Sequence, residues 1–216
     1  MSQEVLTIVE VGSASAADVA AGKRERSKAA NRQAIIDAAR RVFGQLGYEA
    51  ASVRDVIRGT DLASGTFYNY FKSKEELLEA LQDDGARRFR PILRAEVARA
   101  RTFEDFVEGA LVAYFRFLLT EQRETGVAAV HQAPWHGDTP EMRAVFDEVR
   151  GAIVRILGDD RARAIDSDFF AAACIGLARE VGLRMMTRPD PQPDEAARFC
   201  AAMILSGMTG LSKTAP

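Results

Sequence analysis

Residues 52–77 read SVRDVIRGTDLASGTFYNYFKSKEEL, and the way this stretch divides decides the fold. Ser52 stands before Val53, Val56 and Ile57 with Asp55 three residues on, the pattern of a hydroxyl N-cap with an acid in the first turn. Gly59, Thr60 and Asp61 then interrupt, so that helix is short. A third segment, Ala63 to Tyr70, leads into Phe71, which stands four residues after Phe67, one face of another short helix. Ser73 followed by Glu76 is a capping box. The helix it opens is expected to reach about Ala100 and to bend near Pro91, which removes an internal hydrogen bond.

Upstream, Ile35, Ala39, Val42, Phe43 and Leu46 fall on one face of a helix that starts near Asn31 and stops at Gly47 and Tyr48. Residues 1–27 are expected to form a flexible N-terminal arm: Val11 to Gly22 is small and polar, Val5 to Val11 is strand-like but has no partner strand, and a basic run from Lys23 to Lys28 leads into the first helix. A basic arm of this kind can reach into a DNA groove. Downstream, Thr102 caps an aromatic-rich helix, and residues 125–138 read as a loop or broken helix. Thr139, Pro140 and Glu141 form a further helix start, with that helix ending near Gly158. Ser167 opens a helix to about Met186, residues 189–193 are a hard break, and Asp194 to Leu211 is the last helix. No segment alternates with period two, so the fold class is all-α.

Apolar residues are 47% and charged residues 28% of the 216, ordinary for a chain that buries a core. No apolar run approaches the roughly 20 residues that span a bilayer. The first residues hold Glu4 and Glu10 and lack a basic secretory start. Cys174 and Cys200 make no disulfide framework. A cytoplasmic protein that approaches no membrane is the expectation. The formal charge of −2 conceals a split: residues 23–74 carry eleven basic and five acidic side chains, while the segments on either side are net acidic. A compact basic block on an acidic body suits a part that meets phosphates, although charge alone fits a solvated cationic face equally well.

Two short helices joined by a tight turn, packed on a preceding helix and followed by a capped fourth, make a helix-turn-helix unit. Its second helix enters a major groove while helix N-termini direct amides at phosphates. Phe67 and Phe71 face inward, against Phe43, Val53, Val56 and Ile57. Ser64, Gly65, Thr66, Tyr68, Asn69 and Tyr70 face outward as candidate DNA contacts, with Lys74 placed for a phosphate. At these residues the chain resembles the DNA-binding domain of TetR-type transcriptional regulators. The likeness covers about residues 30–80 and is most specific in Gly65-Thr-Phe-Tyr-Asn-Tyr-Phe71 and in Lys74 with Glu75. It implies DNA contacts at Ser52, Arg54, Ser64, Gly65, Thr66, Tyr68, Tyr70 and Lys74. It further implies an all-helical homodimer that represses from a palindromic double-stranded operator and leaves it when a small molecule binds. Activation instead of repression, or regulation without an effector, stays open. Two positions depart from the family pattern: Asp61 stands where glycine is usual, a residue tolerant of the left-handed conformation, and Ala63 stands where Ser or Thr would cap.

The resemblance divides the chain into the arm 1–27, the helix-turn-helix domain 28–76 and a ligand-binding and dimerisation domain 77–216. The third part is rich in aromatics, and Phe106, Tyr114, Phe117, Phe146 and Phe170 are candidates to line an apolar pocket. His131, Trp135 and Arg179 are its candidate polar fixers. An apolar or amphipathic effector fits that composition. In the last two helices Ala171, Ala172, Ala173, Gly176, Ala178, Ala201, Ala202, Ser206, Gly207 and Gly210 allow close approach, suiting a two-fold four-helix interface or packing within the chain alone. The competing classes are an enzyme and a nonspecific nucleoid or adaptor protein. His131 and His136 are five apart with no third ligand, so no metal site or cofactor is expected. No phosphate-cradling glycine loop or nucleophile motif appears. A nucleoid protein would need basic residues over the whole surface, and residues 75–216 are net acidic.

Overall fold

Alternating small and large apolar residues on one stripe of α1 (Ala16–Leu46) make the first anchor: Ile35, Ile36, Ala38, Ala39 and Phe43 are fully buried. The computed structural model describes residues 16–125 and 139–214. Two expectations for this helix change. It begins by Ala16, so residues 16–27 continue it and are not a separate loose arm, and positions 22–30 are exposed. Leu46, read as part of the inner stripe, is 52% exposed because the helix ends there and Gly47 turns the chain away at φ +81°, a conformation open to glycine without a Cβ penalty.

α2 (Val53–Arg58) starts at a full capping box: the Ser52 hydroxyl accepts from the Asp55 N–H at 3.2 Å and the Asp55 carboxylate accepts from the Ser52 N–H at 3.0 Å. The turn after it needs no left-handed residue. Thr60 Oγ1 donates to the Ile57 carbonyl at 2.8 Å and accepts from the Leu62 N–H at 3.2 Å. Among the described residues the sole non-glycine with positive φ is Asp166, so Asp61 is not called on for the left-handed conformation. The third segment, Ser64–Asn69, is a 3-10 helix and not the α-helix that the Phe67–Phe71 spacing suggested. Ala63 offers no side-chain cap, and the Thr66 and Tyr70 N–H groups bond three residues back, to Ala63 at 2.8 Å and Phe67 at 2.9 Å.

α3 (Lys74–Arg99) is capped by Ser73, whose Oγ accepts from the Glu76 N–H at 3.2 Å. The return arm of the expected box lands one residue earlier: Glu76 accepts from the Lys72 N–H at 2.6 Å. Pro91 lies inside this helix. α4 (Phe103–Thr125) opens on Thr102, with Asp105 accepting from the N–H groups of Arg101 and Thr102. α5 (Pro140–Leu157) carries the Thr139 cap and Pro140 in its first turn, and Gly158 at φ +79° separates it from α6 (Asp159–Ala164). α7 (Ser167–Met186) is capped one residue before the expected start, by Asp166, and α8 (Pro193–Thr214) follows the proline break. No strand occurs among the described residues.

Two apolar cores result. A head core joins Ile35, Phe43, Val56, Phe67, Phe71, Leu77 and Leu81, and a body core joins α3 from Ala86 onward to α4, α5, α7 and α8. The first two turns of α3 therefore pack with the head, five residues past the boundary expected at 76. In the body α4 packs against α3 and α8, and α7 comes close to α4 at Gly182, where an added Cβ would stand 2.7 Å from Leu118 Cδ1.

Candidate nucleic-acid interface and inner cavity

Three residues per turn set which side chains of the 3-10 segment face outward. Phe67 is fully buried, and Tyr70, three residues on, is half-buried against the same core. Gly65, Tyr68 and Asn69 stand at the surface, Tyr68 being 66% exposed, with Thr66 half-buried. A Cβ at Gly65 would meet nothing within 4 Å, and its φ is not positive, so internal packing does not require glycine there. Ser64 begins the segment. Of the residues carried over from the family pattern, Arg54 is exposed on α2, while the Ser52 hydroxyl is occupied by Asp55, accepting from its N–H and donating to its carboxylate at 2.5 Å.

Lys74 sits differently from a free phosphate ligand. Its ammonium donates to the carbonyls of Tyr48 at 2.9 Å and Ala51 at 3.2 Å and lies 4.3 Å from the centre of the Tyr48 ring. It thereby ties α3 to the loop after α1, with one of its three donors left over. Burial, then Glu75, pushes the Tyr48 phenol up to about 12, so it stays a neutral partner of that carboxylate.

Inside the body lies a cavity of about 190 Å³. Its walls include Phe106, Tyr114, Phe117 and Arg179, four of the residues singled out above. Phe146 is packed on the body core away from that wall, and Phe170 is buried against Phe103 at 6.0 Å, so neither lines it. His131 and Trp135 lie outside the described residues. Sequence reading missed Phe89, whose ring packs 5.3 Å from Tyr114 and 5.5 Å from Phe117, because a single aromatic on a charged helix gives no local signal. Burial pushes the Tyr114 phenol and the Cys174 thiol each up to about 12, and the Cys200 thiol up to about 11. Both thiols are therefore protonated and unreactive at neutral pH.

The polar end of the cavity was also missed. Arg40 of α1, Arg88 of α3 and Glu121 of α4 line it. Behind them, between the two cores, stands Asp84, its side chain 2% exposed. Asp84 accepts from Arg40, Arg87 and Arg88, with Arg88 Nε at 3.0 Å, and from Gln33 Nε2 at 3.3 Å. Glu121 accepts from Arg88 and lies 3.9 Å from Arg40 Nε. Burial raises the Asp84 pKa, but Arg40, Arg88 and Arg87 outweigh it and hold the carboxyl below its ordinary value. Among the described residues no group of three His, Cys, Asp or Glu could hold a metal ion, and no helix is long and apolar enough to cross a membrane.

Residues 35–81, the head core and its surface segment, match the family model of bacterial regulatory proteins, tetR family. Over 94 residues the chain is 38% identical to the HTH-type transcriptional repressor ComR of Escherichia coli K12, which covers 43% of this chain and 42% of that protein. Over 133 residues it is 26% identical to the fatty acid metabolism regulator protein of Bacillus subtilis, covering 62% of this chain and 67% of that one. The match thus spans less than half the length of the first relative and two thirds of the second. In fold the chain is similar to the solved FadR of Bacillus subtilis in complex with stearoyl-CoA, with a TM-score of 0.63 at 19% identity over 81% of this chain and 98% of that one. Residues 35–81, the part of the chain that carries the short surface segment, are thus similar to the DNA-binding part of the tetR family of bacterial regulatory proteins.

Proposed function

We propose that the protein is a sequence-specific DNA-binding transcriptional regulator, a homodimeric repressor that leaves a palindromic operator when a small apolar or amphipathic molecule enters the cavity. The observation that carries this reading is the exposed Gly65, Tyr68 and Asn69 surface on a head whose α3 continues into the cavity wall. Gly65 lets the backbone approach a groove, Tyr68 and Asn69 supply polar contacts, and Ser64, Thr66 and Tyr70 flank them. Arg54 and the remaining donor of Lys74 serve phosphates, with Ser52 setting the start of α2. Phe106, Tyr114, Phe117 and Arg179 contact the effector.

Dimer formation is supported by the outer face of α8. Phe199 and Met203 are 56% and 54% exposed, interleaved with exposed Ala202, Ser206, Gly207 and Gly210. An apolar patch of that kind on a helix marks an interaction surface, and pairing two heads sets them one DNA turn apart. The relatives named a transcriptional repressor and a fatty acid metabolism regulator support repression and an amphipathic effector. Entry of the effector shifts α3 and with it the head; ~2–3 kcal/mol of coupling loosens DNA on the order of a hundredfold. Fluorescence anisotropy with a duplex from the promoter upstream of its own reading frame tests the reading. About 6 phosphate contacts give a log–log salt slope near −5, and binding without steep salt dependence counts against it.

A further inference from the structure

Nearly every polar side chain on the cavity wall already has a partner. Arg40 is paired with Asp37, Asp84 and Glu121, and Arg88 with Asp84 and Glu121. Gln82 and Arg179 have partners of their own, and Cys174 carries a protonated thiol, a weak donor. One strong donor is not engaged. The Tyr114 ring packs edge-on to Phe89 at 5.3 Å, yet its hydroxyl makes no hydrogen bond among the described residues. Nor is that hydroxyl sealed in protein, since among the described residues Arg90 Nε is the sole enclosed side-chain nitrogen or oxygen without a partner. A hydroxyl withdrawn from bulk water, unbonded and unenclosed, borders the cavity whose wall Tyr114 shares.

Resting on the reading of that cavity as the effector site, we infer that its occupant is an uncharged, largely apolar molecule with one carbonyl-type oxygen, which accepts a hydrogen bond from Tyr114. The rest of the lining is mostly apolar, including Phe89, Phe106, Phe117 and Ile175, so burial of hydrocarbon drives entry. A charged head group would give up its hydration and find no free counter-charge in exchange, because the guanidiniums and the carboxylate on the wall are engaged. The phenol is itself neutral, burial pushing it up to about 12. A neutral phenol donates more strongly than it accepts, because its lone pair is shared with the ring, and this selects an acceptor. An apolar cavity of about 150 Å³ holds benzene, so one of about 190 Å³ takes a single ring with a short substituent.

The test needs no DNA, so its outcome is separable from that of the operator reading. The full chain is titrated by calorimetry with four probes of similar shape. They are acetophenone, isopropenylbenzene (a methylene in place of the carbonyl oxygen), benzoate and α-phenylethylammonium. Acetophenone is expected to bind at least tenfold tighter than either ion. Tyr114→Phe should weaken acetophenone about tenfold and leave isopropenylbenzene within about twofold, as loss of one buried hydrogen bond requires. The infrared carbonyl stretch of bound acetophenone should lie below its position in hexane and return towards it in Tyr114→Phe. The stretch in the parent chain decides the matter if the variant does not fold. An ion that binds as tightly as the ketone, an unchanged ratio of ketone to hydrocarbon affinity in Tyr114→Phe, or a stretch at the hexane position would each overturn the inference while leaving the cavity a ligand site. If none of the four binds, the reading of the cavity as a ligand site fails and the inference falls with it.

Discussion

Gly65 is a glycine that the interior does not ask for: beyond its own chain neighbours, nothing lies within 4 Å of where its Cβ would stand. Gly65→Ala should therefore leave thermal stability within about 0.5 kcal/mol of the parent, as exposed substitutions do. The same variant should weaken operator binding about tenfold in anisotropy, because the added methyl stands between backbone and groove. Lys74 behaves in the opposite way. Its ammonium holds the carbonyls of Tyr48 and Ala51, so Lys74→Met should cost about 1–2 kcal/mol in chemical denaturation as well as affinity. Comparing the two variants separates a surface contact from a joint inside the head. The outward placement of Tyr68 and the burial of Phe67 and Phe71 were legible in the sequence, since large apolar residues four apart demand one inner face. The occupation of the Ser52 hydroxyl by Asp55 was legible too, as a cap. The anchorage of Lys74 was not, because its partners lie 23 and 26 residues away along the chain and are carbonyls, which leave no mark in side-chain identity.

At the scale of elements, the starts read from local chemistry came out within a residue or two. Ser52, Ser73, Thr102 and Thr139 each accept from an N–H three residues on, a contact written entirely within four positions. The 3-10 form of Ser64–Asn69 was not legible, because its last turn is set by Tyr70 and Phe71 settling together on the head core. The early start of α1 was not legible from size and polarity, because Ala16, Ala17, Ala20 and Ala21 look like linker residues on those measures, whereas alanine has the highest helix propensity of all residues. That extension bears on function. Arg32 lies over the Phe71 ring at 5.0 Å, so α1 leaves the head beside the end of the surface segment, with Lys23, Arg24, Arg26 and Lys28 exposed beyond it. Replacing these four by Gln should make the salt slope of operator binding shallower by about 2–4, near 0.9 for each phosphate no longer neutralised. Thermal stability should stay unchanged, since none of the four is packed. An unaltered slope would mean that the extension stays clear of DNA.

For the whole molecule, two cores share one helix, α3, and the joint between them is secured by a buried cluster of charges. On the outer side, Met203→Asp should give monomers in sedimentation and flatten cooperative operator binding, because a desolvated carboxylate on the α8 face opposes pairing of two copies. On the inner side, Asp84 separates the head core, which ends at Leu81, from the body core, which begins at Ala86. Its carboxylate accepts from Arg40 on α1 and from Arg87 and Arg88 on its own helix. Removing one member of such a cluster leaves the others uncompensated, so Asp84→Asn should cost about 2–4 kcal/mol at neutral pH, the lower end applying because Arg87 and Arg88 reach solvent. The pH dependence has a definite sign. Burial pushes the carboxyl up and the arginines pull it further down, leaving the folded pKa below the unfolded value of about 3.9. The contribution of the charge is therefore complete above about pH 4 and fades as pH falls through the lower, folded value. Denaturant midpoints of the parent and of Asp84→Asn should differ by a constant amount from pH 7 to pH 5 and converge below pH 4. If the two curves stay parallel throughout the acid range, the arginines do not hold Asp84 ionised and the joint is secured by packing alone.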